Sequence, residues 1–445
     1  MRESAYNMWV EHGEDDYVFN GVSGGLLRVP REERARLEAF LGEESDDCSP
    51  DLLERLARGR MLIGDETDEL ALLSRRYHGT RWNRGRLGLT VVTSLGCNFD
   101  CPYCFEDKHH SLLSSEVEAA IIGIVDEQIP QLDHVAVTWY GGEPLLGKRA
   151  LFRLSDELIA RCDAADVAYS GSIVTNGYLL DEATCEELAS RRIDNAQVTI
   201  DGPPDVHNKM RPLVSGGKSF DRIVANLKAA VRHMSIAVRV NLDTSNVHRV
   251  EELMKILADE GLSGKLGVYA AQLTQVDDGA PAPSASYATA CFSCGEFSEV
   301  QSEFRELAES YGFDSPSLPG PSGAPCTAVR ANELVIGSKG ELYKCWDSVG
   351  NPAEVVGHIR DYRKAETRAA KWLSYDPFEN DEWRSCIALP VCMGGCAHHG
   401  MDEKLYDDRC MPFRWNYAEQ VRSFVKANAD GTAEPVVLSA AGHTR

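Results

Sequence analysis

At 445 residues the chain is long enough for two or three domains with ample buried core. Its 46 Lys and Arg against 69 Asp and Glu give a net charge of −23, which disfavours nonspecific nucleic-acid binding while permitting a basic peptide partner. There is no signal-peptide h-region and no apolar run of about 18 residues able to span a membrane, so a cytoplasmic protein with no membrane partner is expected.

Residues 1–86 read as a module of their own. Tyr17–Val29 predicts a hairpin, with glycine-bearing turn chemistry between apolar runs. Two helical segments follow, Arg31–Leu41 and Pro50–Arg58. The module is either a small structural cap or a winged-helix-like fold.

From Leu89 to Ala271 the pattern alternates. Strand-like runs are Leu89–Ser94, Val135–Tyr140, Gly171–Asn176, Ala196–Ile200, Ile236–Leu242 and Leu266–Ala271. Ser115, Asp181 and Ser219 are candidate caps of intervening helices, and Val250, Leu253, Met254 and Leu257 mark another. About six β/α units in series argue for a parallel sheet covered by helices, too few for a closed eight-stranded barrel. Gly279–Ser286 and Ser315–Pro325 are linkers by composition, flanking a helix near Phe297–Tyr311. Residues from about Ala427 onward read as a disordered tail.

Fourteen cysteines in a chain of this kind argue for metal or clusters rather than disulfides. Cys97, Cys101 and Cys104 form a C-x3-C-x2-C run on a loop leaving the first strand. Structural zinc is one reading of it, with His109 or His110 as the fourth ligand. The aromatics Phe99, Tyr103 and Phe105 beside the cysteines suit instead a cluster shielded from water. Gly141-Gly142-Glu143-Pro144 follows the second strand. Two motifs in this order after two strands are stronger than either alone.

Together these motifs resemble those of the radical SAM enzymes. The resemblance implies an open (β/α)6 partial barrel over residues 87–278. It implies that Cys97, Cys101 and Cys104 hold three irons of a [4Fe-4S] cube whose fourth iron chelates S-adenosyl-L-methionine. Reductive cleavage then yields a 5′-deoxyadenosyl radical that takes hydrogen from an unactivated C–H bond. The cofactor would lie across the C-terminal strand edges, with Gly141, Gly142 and Glu143 at the methionine ammonium. Asn176 and Thr199 are its implied partners at the ribose or carboxylate, Arg239 grips the carboxylate, and Tyr103 joins the cofactor-binding set.

The later cysteines resemble a SPASM domain over residues 326–426, after a linker and bridging helix at 279–325 and before a tail at 427–445. The pattern is Cys326, Gly340-x4-Cys345, Cys386-x5-Cys392-x3-Cys396 and Cys410, with Trp383 where the usual first cysteine of a C-x2-C pair stands. A zinc ribbon is the plainer alternative. The resemblance implies two auxiliary iron–sulfur clusters, one on Cys326, Cys345 and Cys396 with Cys291 as fourth ligand. The other rests on Cys386, Cys392 and Cys410, leaving an iron for Cys294, solvent or substrate. Asp347 and Asp201 are the candidate catalytic acids or bases, Asp347 because it lies two residues past Cys345.

The expected activity is maturation of a ribosomally synthesised peptide by an intramolecular thioether, ether or carbon–carbon cross-link. Residues 1–86 would bind the precursor's leader, and a flavodoxin or ferredoxin would donate electrons. Alternatives are sulfatase-type oxidation of Cys or Ser, peptide epimerisation with Cys294 returning hydrogen, and a non-enzymatic iron–sulfur or zinc peptide-binding protein.

Overall fold

The computed structural model describes residues 1–274, 283–287, 291–313, 317–428 and 436–437. Parts of both linkers and most of the tail expected from composition lie outside the described residues.

Strand β1 (Arg2–Glu3) opens the chain, followed by β2 (Asn7–His12), β3 (Asp15–Asn20) and β4 (Gly25–Pro30). The last three form an antiparallel meander, so the expected hairpin carries an extra strand. Helices α1 (Arg31–Leu41) and α2 (Pro50–Arg58) follow at the expected bounds. Strand β5 (Leu62–Ile63) then pairs with β1, and α3 (Glu69–Arg81) ends the module. Helix α3 was not anticipated, because its buried stripe mixes Leu73 and Tyr77 with the charged Glu69 and Arg81.

The alternation of side chains along a strand gives this small sheet two buried faces. Val18, Leu27 and Val29 pack with Leu37, Leu52 and Leu56 of α1 and α2. Met8, Val10 and Phe19 on the other face pack with Ala388, Val391, Phe413, Val421 and Val425, nearly four hundred residues on. Phe19 meets Phe413 edge to face at 6.0 Å. Residues 1–86 are therefore fastened to the cysteine-rich region by a shared core. Phe413→Ala is expected to lower unfolding free energy by about 3–5 kcal/mol, as for other buried Phe truncations, measured by denaturant titration of the wild type and variant.

The central sheet begins with β6 (Arg86–Ser94), α4 (Ser115–Gln128) and β7 (His134–Gly141). It continues through α5 (Lys148–Ala164), β8 (Ala168–Thr175), α6 (Glu182–Ala189) and β9 (Ile193–Thr199). After α7 (Pro204–Met210) and α8 (Phe220–Ala230) come β10 (Ser235–Leu242), α9 (Val250–Asp259) and β11 (Gly267–Gln272). All six strands run parallel in the order β11-β10-β9-β8-β7-β6. Asp181 caps α6 as expected, but Ser114 rather than Ser115 caps α4. The Ser219 hydroxyl makes no capping bond and instead donates to the Arg211 carbonyl at 3.1 Å.

Helix α10 (Cys294–Ser310) starts at a capping box formed by Ser293 and Glu296. The sheet then grows from its β6 edge. Strand β12 (Glu333–Ile336) pairs parallel to β6, and β13 (Glu341–Tyr343) and β14 (Gly357–His358) extend it antiparallel. The nine-stranded sheet thus ties the partial barrel directly to the cysteine-rich region, a join that strands of two to four residues did not signal. Short helical turns α11 (Tyr362–Arg368), α12 (Ala370–Leu373), α13 (Asp381–Arg384), α14 (Leu389–Cys392) and α15 (Ala397–Gly400) precede α16 (Phe413–Ala427). Strand β15 (Val436–Val437) pairs with Leu26 and Gly25 of β4. Among the described residues no helix is long and apolar enough to cross a membrane.

Candidate active site

Ser94, Gly141, Thr175, Thr199, Asn241 and Gln272 lie at or near the C-terminal ends of the six parallel strands, the edge at which open parallel sheets bind ligands. A cavity of 270 Å³ opens there, lined by Cys97, Cys101, Cys104, Tyr103, Gly141 and Gly142 on one side. Asn176, Thr199, Arg239 and Asn241 line another wall, and Trp346 and Asp347 reach in from the cysteine-rich region.

The three thiols suit a metal cluster. Burial, with Glu143 adding, pushes the Cys97 thiol up to about 12, and burial with Glu106 does the same to Cys104. Cys101 is raised too, chiefly by burial. A thiolate is the metal-binding form, and in so buried a place it needs the metal's charge to persist. Among the described residues none of the fourteen cysteines forms a disulfide.

The glycines of the motif are sterically required. Gly141 has φ +126°, and an added Cβ there would strike the Ser94 carbonyl. A Cβ on Gly142 would lie 2.7 Å from the Gly96 oxygen and 2.8 Å from that of Leu95. The two loops therefore touch backbone to backbone, held by Gly142 N–H to Ser94 O and Glu143 N–H to Gly96 O, each 3.0 Å. Such contact leaves the cysteine loop pressed against the end of β7.

Glu143 does not line the cavity. Its carboxylate is buried and accepts from Leu145 N–H at 3.0 Å, Thr175 Oγ1 at 2.8 Å and Asn176 N–H at 2.8 Å. It fixes the turn that presents Asn176, whose Nδ2 donates to Asn98 Oδ1 at 2.7 Å and approaches Cys97 Sγ at 3.9 Å. Arg239 donates to Asn241 Oδ1 at 2.8 Å and faces the same cavity. Thr199 lies between them, buried.

Tyr103 and Asp201 form a buried polar knot behind the cysteine loop. The Tyr103 hydroxyl donates to Asp201 Oδ2 and accepts from Arg211 at 2.6 Å and Asn241 Nδ2 at 3.2 Å. Asp201 Oδ1 accepts from Asn241 N–H at 3.1 Å, and Arg211 lies 3.9 Å from Oδ2. Burial raises the Asp201 carboxyl against the pull of Arg211. His207 is kept neutral by burial and Arg211, with Ser219 at its Nε2. Asp201 is therefore engaged in holding Tyr103 and β10, whereas Asp347 faces the open cavity.

Glu106 was missed. It lies two residues past Cys104, is buried, lines the cavity and has an Oε1 with no hydrogen-bond partner. Burial, with Asp347 and Glu143 adding, raises its carboxyl to about 8. A charged residue adjoining a cysteine motif reads as solvated loop, and nothing in the sequence marks its burial.

Six of the remaining thiols fall in two sets. Cys386, Cys392 and Cys410 line a second cavity with Trp383, Arg409 and Arg414. Cys345 lies close enough to Cys326 and Cys396 for each to disfavour its ionisation. Burial raises the Cys291 thiol, with Asp243 and Asp408 adding. Cys294 is buried with its Sγ 3.4 Å from the Cys410 carbonyl.

Residues 91–257 match the family model of the Radical SAM superfamily. The chain carries a radical SAM domain. A cysteine-type anaerobic sulfatase-maturating enzyme of Clostridium perfringens (strain 13 / Type A) is 28% identical over 145 residues, 30% of this chain and 38% of that protein. The chain thus spans little more than a third of this relative and of the serine-type enzyme of Bacteroides thetaiotaomicron, 38% and 34% of their lengths. Among solved structures, anSMEcpe with bound AdoMet and Kp18Cys peptide superposes at TM-score 0.57 and 17% identity, covering 77% of this chain and 99% of that one. Streptococcus suis SuiB bound to precursor peptide SuiA does so at TM-score 0.51 and 13% identity, covering 92% and 99%. At such identities the likeness is one of fold, and it extends beyond the radical SAM domain into the regions on either side.

Proposed function

We propose that this chain is a cytoplasmic maturase that cross-links a ribosomally synthesised peptide, joining two of its side chains by a thioether, ether or carbon–carbon bond. The carrying observation is the segment Cys345-Trp346-Asp347, whose last two residues line the radical SAM cavity while Cys345 sits with Cys326 and Cys396. In this reading the iron–sulfur cluster and S-adenosyl-L-methionine supply a 5′-deoxyadenosyl radical, which removes one hydrogen atom from the peptide. Cross-linking also removes a second proton and electron. Asp347 is the group at the cavity wall suited to take the proton, and the adjacent cysteines suit a cluster that takes the electron. Gly141, Gly142, Asn176, Thr199 and Arg239 hold the cofactor; Glu143 and Tyr103 position the loops around it.

The winged-helix-like module of residues 1–86 is read as the leader site. A solved SuiB structure contains its precursor peptide, and that fold likeness spans more of this chain than the sulfatase-maturase one. Strand β4 offers an edge that already accepts a strand from the chain itself, the chemistry of peptide capture by main-chain hydrogen bonds. A flavodoxin or ferredoxin is the proposed electron donor.

Identity to sulfatase-maturating enzymes favours a second reading, oxidation of a Cys or Ser to an aldehyde. Anaerobically reconstituted protein, given reductant and the precursor encoded beside it, separates the readings. Brown protein with roughly 8 to 12 irons per chain, release of 5′-deoxyadenosine, and a peptide product that resists hydrazide are expected. A hydrazide-trapped product would turn the reading to aldehyde formation. Colourless zinc protein without deoxyadenosine would end both. In the same preparation, full precursor is expected to slow amide exchange in Gly25–Pro30 relative to leaderless peptide; equal exchange would remove the leader role.

A further inference from the structure

The two thiol sets of the cysteine-rich region stand in different charge surroundings. Cys386, Cys392 and Cys410 line one cavity with Arg409 and Arg414. They lie close enough for Cys386 and Cys410 to disfavour ionisation of Cys392. Three thiols so placed fit a metal cluster. Arg414, the second residue of α16 and four past Cys410, donates from Nη1 to Cys410 Sγ at 3.3 Å. Arg409 is buried and donates to the Tyr406 carbonyl at 2.5 Å and to Glu382 at 3.2 Å. Glu382 pairs with both arginines, lying 3.5 Å from Arg414. Two guanidinium groups thus share one carboxylate. At the set of Cys326, Cys345 and Cys396 the charges offset instead. Asp347 acts on Cys345 and Cys396, Lys344 opposes it beside Cys326, and Arg330 pairs with Glu333 at 2.7 Å.

We propose that Arg414, through its hydrogen bond to Cys410 Sγ, raises the reduction potential of the cluster held by Cys386, Cys392 and Cys410 and makes it the terminal acceptor of the two auxiliary centres. The role rests on the reading that both thiol sets hold clusters. Net charge and hydrogen bonds to the sulfurs set a cluster's potential. A guanidinium stays charged throughout the working pH range, and its attraction grows with the negative charge that an added electron brings. The reduced state is therefore favoured. Trp383, standing where the family pattern has a cysteine, works in the same direction because it supplies no thiolate charge. The substrate radical is oxidised by loss of one electron, and the cluster beside Arg414 is reduced by it. Arg414 acts through Cys410 and is a positioning residue.

Redox titration followed by electron paramagnetic resonance, on full-length protein with Cys97, Cys101 and Cys104 replaced by alanine, reads the auxiliary clusters alone. The signal that disappears when Cys386, Cys392 and Cys410 are also replaced belongs to the second of them. In that background Arg414→Gln is expected to keep the iron content and make reduction of the second cluster about tenfold less favourable, a midpoint about 59 mV lower for one electron. The other midpoint is expected to stay. Arg414→Lys, which keeps the charge, is expected to recover part of the shift. Arg422→Gln, about two turns further along α16, is expected to cause none. In the otherwise intact enzyme, Arg414→Gln is expected to release 5′-deoxyadenosine as the wild type does while making less product per deoxyadenosine. An unchanged second midpoint in Arg414→Gln overturns the proposal. So does an equal fall in Arg422→Gln, which would reflect net charge alone. If Arg414→Gln loses iron, Arg414→Lys decides: a lowered midpoint sustains the proposal, while an unchanged midpoint or iron loss overturns it. Replacing Cys386, Cys392 and Cys410 together tests the cluster itself. If that removes no iron, the cluster and the role of Arg414 fall together; if it removes iron but the midpoint ignores Arg414, only the role falls.

Discussion

A chain with Cys97, Cys101 and Cys104 all changed to alanine is expected to release no 5′-deoxyadenosine and to bind about four fewer irons than the wild type. These residues supply the thiols that line the cavity at the strand ends. Their buried setting keeps each protonated unless a metal holds it as thiolate. With the thiols gone, nothing else in the lining replaces them. Lys108, the nearest amine on the loop, is bonded to the Phe99 carbonyl at 2.9 Å. The expected loss is complete rather than partial, because an open-iron cube is formed by three ligands together. Chromatography of the quenched reaction and iron analysis give the two readouts. Deoxyadenosine at even a tenth of the wild-type yield would show that the cofactor is cleaved without these cysteines.

Much of this arrangement is written locally. The six β-branched runs, their caps and the glycine motif each depend on residues close in sequence, and strands β6 to β11 follow them within a few residues. The cap of α4 moved by one residue because Ser114 and Ser115 are equally able to accept from the first turn, and only the backbone path chooses Ser114. What was not legible depends on distant partners. Strand β2 and helix α3 owe their burial to Phe413, Val421 and Tyr375, hundreds of residues away. Strands β12 to β14 are too short to carry a period, and form because β6 leaves an edge to be paired. Within the site, the motif named Glu143 but not the direction of its carboxylate. Three nearby donors turn it inward, away from the cavity. Glu106 was hidden for the converse reason, since it is buried at a cavity it shares with Tyr140, Trp346 and Asp347, residues distant in sequence.

The second large effect concerns electron flow. Replacing Cys386, Cys392 and Cys410 with alanine is expected to spare cofactor cleavage and remove cross-linked product. These thiols line a cavity that shares no residue with the one at the strand ends. Between the two lies the Cys326, Cys345 and Cys396 set, joined to one cavity by Trp346 and Asp347 and to the other by Gly394 and Gly395. That serial order fits a relay carrying an electron outward. Trp383, in the position of the family's missing cysteine, bears on the same question. Its indole N–H donates to the Tyr406 hydroxyl at 2.9 Å, and Arg409 lies over its ring at 5.2 Å. Trp383→Cys therefore removes a packed aromatic as well as adding a thiol, at a cost of about 3–5 kcal/mol in stability. Trp383→Ala is the matched control, because it makes the same cavity without the ligand. Both variants are expected to retain the same product yield per folded chain, with the cysteine variant alone showing an altered cluster spectrum. Cross-linking lost in Trp383→Cys but kept in Trp383→Ala would mean that substrate binds an open iron there, and the relay account would fail.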